Sequence, residues 1–248
     1  MIIVQLSDLH VGSQFLPEKF EELVEEVNQL KPDVIVVTGD LTNEGLMKEY
    51  DKCKELLTRF DTKKIISISG NHDYRNTGYL LFKKYFPFET VNELNDDVVL
   101  ITIGTARPDR NEGEVGYRQN LWLERTMKKY KDKVKIVAMH HHLVAIPDTG
   151  SDQLTVVDAG DVLRTILDTG VDLVLCGHKH RPWVWNFGKL MVVNAGTPTS
   201  ERVRGLFDNT YNIITVSGKN VSVDLKIVGG KRTAIDDIVN NYSQFGDE

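Results

Sequence analysis

Cysteine is scarce in this chain: only Cys53 and Cys176 occur in 248 residues. Two thiols in unlike contexts make no disulfide framework, which excludes the small cystine-stapled folds. No apolar run approaches the ~20 residues that span a bilayer, so no membrane partner is expected. The N-terminal run Met1–Leu6 has no basic region and no cleavage site; it does not read as a signal peptide, and a cytoplasmic protein is expected. Positive charge is in deficit, 30 Lys and Arg against 36 Asp and Glu, for a formal net charge of −6. Without a basic stripe, long nucleic acid is not an expected partner, because binding it needs many phosphate contacts. A small anion in a locally positive pocket stays compatible with this balance. What is present, 41% hydrophobic and 27% charged residues, suits a globular chain that can bury a substantial core.

Short apolar runs alternate with amphipathic stretches. Residues 2–6, 33–38, 64–69, 97–103, 133–139 and 171–176 read as strands, and 17–30, 44–60, 77–86, 119–130 and 160–169 as helices. The run 33–38 is apolar on both faces, which suits an interior strand. The pattern then turns β-rich, with strands at 182–187, 190–194, 211–217 and 221–227 and turns at Gly188-Lys189 and Gly218-Lys219. A last helix is expected over 233–243. Strand–helix alternation followed by hairpins predicts an α/β layered domain with mixed sheets. Residues 1–228 read as one domain and 229–248 as a C-terminal tail.

The seven histidines carry the most information. His10, His72, His140, His141, His142, His178 and His180 all fall just after expected strands. Asp8, Asp40, Asn71 and Asp73 share those strand ends, beside Gly39, Gly70 and Gly177. Structural histidines have no reason to gather there, whereas a site built on loops at one sheet edge does. In extended chain, residues two apart point the same way, so Asp8 and His10 can reach one ion. His178 and His180 can each serve one ion of an adjacent pair. Mixed nitrogen and oxygen donors suit Mn, Fe, Zn, Ni or Co better than Mg or Ca. Seven good donors exceed one tetrahedral site but fit two ions sharing a bridging Asp.

The ordered motifs Asp8-Leu9-His10, Gly39-Asp40, Gly70-Asn71-His72-Asp73, His140-His141-His142 and Gly177-His178-Lys179-His180 resemble those of the calcineurin-like metallophosphoesterase superfamily. The short chain is similar to its class III cyclic-nucleotide phosphodiesterase branch. The resemblance implies a four-layer α/β/β/α sandwich with two mixed β-sheets, the metallophosphoesterase fold. It implies two divalent metal ions, Asp8, His10 and His180 holding the first, Asn71, His140 and His178 the second, and Asp40 bridging. The fourth motif has three histidines where two are usual; the family pattern favours His140, with His141 or His142 as alternatives in register. His72 is expected to face the substrate phosphate as a catalytic residue, Asp73 to orient the His72 ring or another ligand, and His141 to face the substrate.

The implied activity is hydrolysis of a small phosphodiester by a hydroxide held between the cations. A 3′,5′-cyclic nucleotide is the leading substrate class. A phosphomonoester, or a glycerophospho, nucleotide-sugar or lipid-linked diester, is the alternative; a non-catalytic scaffold ranks last because no donor is missing. Arg107, Arg110, Arg202 and Arg204 lie in loops within reach of a phosphate, but loop arginines are ordinarily solvated and none is singled out. Trp183, Trp185 and Phe187 alternate on a strand and read as packing. Met47, Met127, Met139 and Met191 read as core filler. The region 182–216 and the tail after residue 229 are candidate surfaces for a homodimer.

Overall fold

Period-two alternation with both faces apolar dictates strands that are covered on each side. A computed structural model describes residues 1–87, 90–149, 155–205 and 207–240, and places these strands in two six-stranded mixed sheets. In the first sheet, β1 (Ile2–Leu6), β2 (Val34–Thr38) and β3 (Ile65–Ile68) run parallel. Beside β1 lie the antiparallel β10 (Thr210–Ser217), β11 (Asn220–Ile227) and β12 (Arg232–Ala234). In the second, β5 (Val98–Thr102), β6 (Val134–Ala138), β7 (Leu173–Cys176) and β9 (Leu190–Asn194) run parallel. The antiparallel strands β4 (Val91–Glu93) and β8 (Trp183–Phe187) close its edges.

The alternation sorts side chains into layers. Ile3, Val34 and Val36 pack with Val98, Leu100, Ile136 and Leu175 between the sheets. Val4, Leu6, Ile35 and Val37 face the other way, under α1 (Pro17–Leu30), α2 (Met47–Leu57) and α3 (Gly78–Tyr85). Val99, Ile101, Val137 and Val174 face α4 (Tyr117–Met127) and α5 (Ala159–Asp168). The result is the expected four-layer α/β/β/α sandwich with two mixed β-sheets. Cys53 and Cys176 are free, buried and in different clusters.

Helix limits follow local chemistry. Pro17 opens α1, with Phe20, Leu23, Val24 and Val27 on its buried stripe. Lys31 leaves the helix with φ 49° before Pro32, which disfavours a helical residue ahead of it. Helix α2 begins at Met47, three residues later than expected: Glu49 folds back to accept from the Glu44 and Leu46 amides, at 2.8 and 3.2 Å. That start leaves Met47 58% exposed, a correction to its reading as core. Met127 and Met139 are buried and Met191 partly so. After β12, α6 (Ile235–Asn240) packs on β8; residues 241–243 of the expected last helix lie outside the described residues. Among the described residues, no helix is long and apolar enough to cross a membrane.

Candidate metal centre

The loops after β1, β2, β3, β6 and β7 meet at the carboxyl edges of the two sheets. All seven expected metal donors converge there. His10 Nε2 lies 2.9 Å from His180 Nε2, which lies 3.2 Å from Asp8 Oδ1. Across from them, Asn71 Oδ1 is 3.1 Å from His140 Nε2 and 2.9 Å from His178 Nδ1. Asp40 sits between the groups, with Oδ2 3.4 Å from His140 Nε2 and 3.9 Å from His10 Nε2.

The donor directions fit cations. His140 Nδ1 must donate to the Thr38 carbonyl at 2.8 Å, so Nε2 of the neutral ring turns a lone pair toward Asn71 Oδ1 and Asp40 Oδ2. His180 repeats this: Nδ1 donates to the Arg202 carbonyl at 2.6 Å, and Nε2 points at Asp8 and His10. Buried Asp8 Oδ1 has no hydrogen-bond partner among the described residues. Lone pairs directed at one another repel unless a proton or cation lies among them. Two donors bound 2.0–2.1 Å from one ion are about 2.9–3.4 Å apart, which is the spacing of these pairs except Asp40 Oδ2 and His10 Nε2, at 3.9 Å.

Electrostatics point the same way. Burial opposes the charged form of Asp40, but His140 and His72 hold its carboxyl well below the usual range. Burial likewise opposes charge on Asp8, and His180 holds it low. Burial pushes His10 down to about 3, against the pull of Asp40. Burial also disfavours a charged His140, yet Asp40 outweighs it and raises this ring to about 9. A cation-hungry position is what a metal site looks like when a proton fills it.

The backbone is bent to make this convergence. Asp8, His10, Asp40, His178 and His180 have φ of 55°, 49°, 51°, 76° and 53°. Left-handed φ costs a non-glycine residue on the order of 1 kcal/mol or more, and it persists here because rigid strands lead into each turn. The two-apart donors therefore do not meet as members of an extended chain; each swings inward from a turn.

Close approach also requires Gly177, where an added Cβ would collide with Ser7 Oγ and Asp8 Oδ2. Gly177→Ala should lower the melting temperature by roughly 2–12 °C, from an overpacking cost of about 1–3 kcal/mol. A thermal scan checks this, and adding Ser7→Ala should recover part of the loss; an unchanged melting temperature would contradict the contact.

Sequence reasoning missed or misplaced several side chains. Asp73 makes no hydrogen bond to the His72 ring; its contacts are with the loops that carry Asp40 and Asn71, which fits the alternative expectation of orienting other ligands. Its Oδ1 accepts from the Thr42 amide and hydroxyl at 2.9 and 2.8 Å, and its Oδ2 from the Leu41 and Gly70 amides at 3.2 and 2.9 Å. Burial and the neighbouring Asp40 charge raise it to about 7. His141 is fully buried, with Nε2 donating to the Asn111 carbonyl at 3.1 Å and Nδ1 accepting from the Thr105 hydroxyl at 2.7 Å. Both nitrogens have protein partners in this arrangement, and one of them also lies within 4.8 Å of ligand atoms of His140 and His178. His140 is the histidine of the triplet that faces Asp40. The His142 ring stacks on His178 with centroids 5.7 Å apart.

Asp40, Asn71, His72, His178 and His180 line a cavity of about 140 Å³. Arg75, Asn111, Arg202 and Arg204 share its wall. Asn111 orients a donor: its Oδ1 accepts from Asn71 Nδ2 at 3.3 Å, which turns Asn71 Oδ1 to the two histidines. Nothing in the sequence marked Arg75 or Asn111 except their places, Arg75 two residues after a motif and Asn111 between β5 and α4. A larger crevice of about 540 Å³ lies at the opposite strand ends, lined by Met1, Asp33, Lys63 and Glu93 among others. Size does not mark the chemistry here, because no histidine lines it.

Known proteins resemble the chain over most of its length. It is 28% identical over 218 residues to a probable glycerophosphodiester phosphodiesterase of Arcobacter nitrofigilis, covering 81% of this chain and 80% of that one. It is 29% identical over 198 residues to a cAMP/cGMP dual specificity phosphodiesterase of Mycobacterium tuberculosis, covering 72% and 61% respectively. A purple acid phosphatase from yellow lupin seeds shares the fold, with a TM-score of 0.71 and 13% identity over 94% of this chain and 52% of the other. The family model for calcineurin-like phosphoesterases matches residues 1–182, a span that contains every converging donor segment. The chain belongs to the calcineurin-like phosphoesterase family.

Proposed function

We propose that this protein is a binuclear metal-dependent phosphodiesterase acting on a small diester, with 3′,5′-cyclic nucleotides as the first substrate class. The observation that carries the reading is the Asp40 carboxylate lying between two groups of mutually facing donors. Asp8, His10 and His180 would hold one divalent cation, and Asn71, His140 and His178 the other, with Asp40 shared. When bound, such a pair supplies an acidified water and charge neutralisation at phosphorus. Mn, Fe, Zn, Ni and Co all match the donor set.

The chain's own residues do the rest. Thr38 and Arg202 carbonyls fix the His140 and His180 tautomers, so each presents a lone pair. The His72 amide donates to Asp40 Oδ1 at 2.7 Å and leaves Oδ2 for the donors. Asn71, His72 and Arg75 form the adjoining cavity wall against which a phosphate would rest. The resemblance to the Arcobacter relative favours glycerophosphodiesters as a second reading.

Protein loaded with Mn²⁺ should hydrolyse bis-p-nitrophenyl phosphate faster than p-nitrophenyl phosphate, and chelation should abolish both rates. A panel of cyclic AMP, cyclic GMP and glycerophosphodiesters then orders the substrates. Flat traces for every substrate across several metals would overturn the reading, and a monoester preference would replace it with a phosphomonoesterase.

A further inference from the structure

The polarity of the contacts around His72 is fixed by its partners. The Asn43 carbonyl can only accept, so Nδ1 carries the proton in the 2.7 Å contact. Arg75 Nη2 can only donate, so His72 Nε2 is the acceptor at 3.1 Å. The ring thus has no spare N–H for a ligand, and the donor beside it is the guanidinium. Arg75 Nη1 donates to the Asn43 carbonyl at 3.2 Å and to Glu44 Oε1 at 2.7 Å. With the bond to His72, three of its five N–H groups are used within the protein. The Nε–H and the second Nη2–H have no partner among the described residues. They are adjacent on one edge of a planar group whose side chain is 30% exposed and lines the cavity with Asp40 and Asn71. A fork held by three contacts and left with two parallel donors matches two phosphate oxygens.

We propose that Arg75, positioned by His72, Asn43 and Glu44, binds the phosphoryl oxygens of the substrate. His72 then acts through Arg75 as a positioning residue. The proposal rests on the phosphodiesterase reading above and names a recognition residue for it.

The test compares wild type, Arg75→Ala, Arg75→Lys, His72→Ala and the His72/Arg75 double alanine variant, each loaded with Mn²⁺. Arg75→Ala should lower kcat/KM for bis-p-nitrophenyl phosphate by roughly 10- to 100-fold, carried mainly by KM, with metal content unchanged. Arg75→Lys should fall between it and wild type, since a point charge replaces the fork. Guanidinium ion at millimolar concentration should restore part of the Arg75→Ala loss. The double variant should lose little more than Arg75→Ala alone, because both changes remove one unit. Calorimetric binding of inorganic phosphate should weaken by a similar factor in Arg75→Ala. Unchanged KM and phosphate affinity, or fully additive losses, would overturn the proposal. If wild type hydrolyses no diester, the phosphodiesterase reading fails, while phosphate affinity still decides whether Arg75 binds the anion.

Discussion

Asp40→Asn is expected to leave a folded protein that holds at most one metal ion and has lost about 10³-fold or more in kcat/KM. The substitution keeps the side-chain shape, and an amide oxygen can still accept from the His72 amide, as Oδ1 does now at 2.7 Å. What disappears is the charge between His140 and His10. A missing cation forfeits several kcal/mol of transition-state stabilisation, and each 1.36 kcal/mol is about tenfold in rate. Metal-free stability should fall as well. Burial opposes the Asp40 charge, but His140 and His72 hold its carboxyl well below the usual range and Asp40 raises His140 to about 9, so the substitution breaks a favourable buried pair at neutral pH. Metal-free Asp40→Asn should therefore melt below metal-free wild type. Added Mn²⁺ should raise the melting temperature of wild type strongly, by mass action on the folded state, and that of the variant weakly. Elemental analysis with paired melts decides this: two ions retained and full activity would remove the shared-ligand role.

The donor set was legible because ligand chemistry restricts residue type, and because α/β sheets gather sites at strand ends. That ground gathered all seven histidines with Asp8, Asp40, Asn71 and Asp73; it was the family resemblance that singled out Asp8, His10, Asp40, Asn71, His140, His178 and His180 among them. The local reason was less legible. Residues two apart share a face in a strand, but Asp8, His10, His178 and His180 lie beyond the strands with left-handed φ, and they converge through turns. Sheet layering was readable from runs such as Val34–Val37, whose members alternate between two apolar clusters. Short edge strands were not: β4 and β12 have three residues each, too few to show a period. Arg75 and Asn111 were invisible for another reason. Arginine and asparagine in loops are ordinarily solvated, and only the folded chain brings them to the cavity wall. The roles expected of Asp73 and His141 were drawn from nearness in sequence to His72 and His140. Three-dimensional partners keep Asp73 off the His72 ring and among the loops that carry Asp40 and Asn71, and they bond both His141 nitrogens within the protein.

Asp73→Ala should be the most destabilising change near the site. The carboxylate is fully buried and collects four donors, two from Thr42 and one each from Leu41 and Gly70. It ties the loop carrying Asp40 to the loop carrying Asn71, and its carbonyl is held by the Tyr50 hydroxyl at 2.6 Å. Alanine leaves those donors buried without a partner, at a cost of about 3–5 kcal/mol. At about 2–4 °C per kcal/mol for a chain of this size, the melting temperature should fall by roughly 6–20 °C. Asp73→Asn should fall less, because one oxygen still serves Thr42 or the Gly70 side. The same pair of variants separates positioning from direct catalysis. If Asp73 acts by placing Asp40 and Asn71, excess Mn²⁺ should restore much of kcat in Asp73→Asn while its metal affinity stays weak. If it acts on the substrate itself, kcat should stay low at every Mn²⁺ concentration. The first outcome is expected, because both carboxylate oxygens are consumed by the backbone and hydroxyl of loops that carry the ligands.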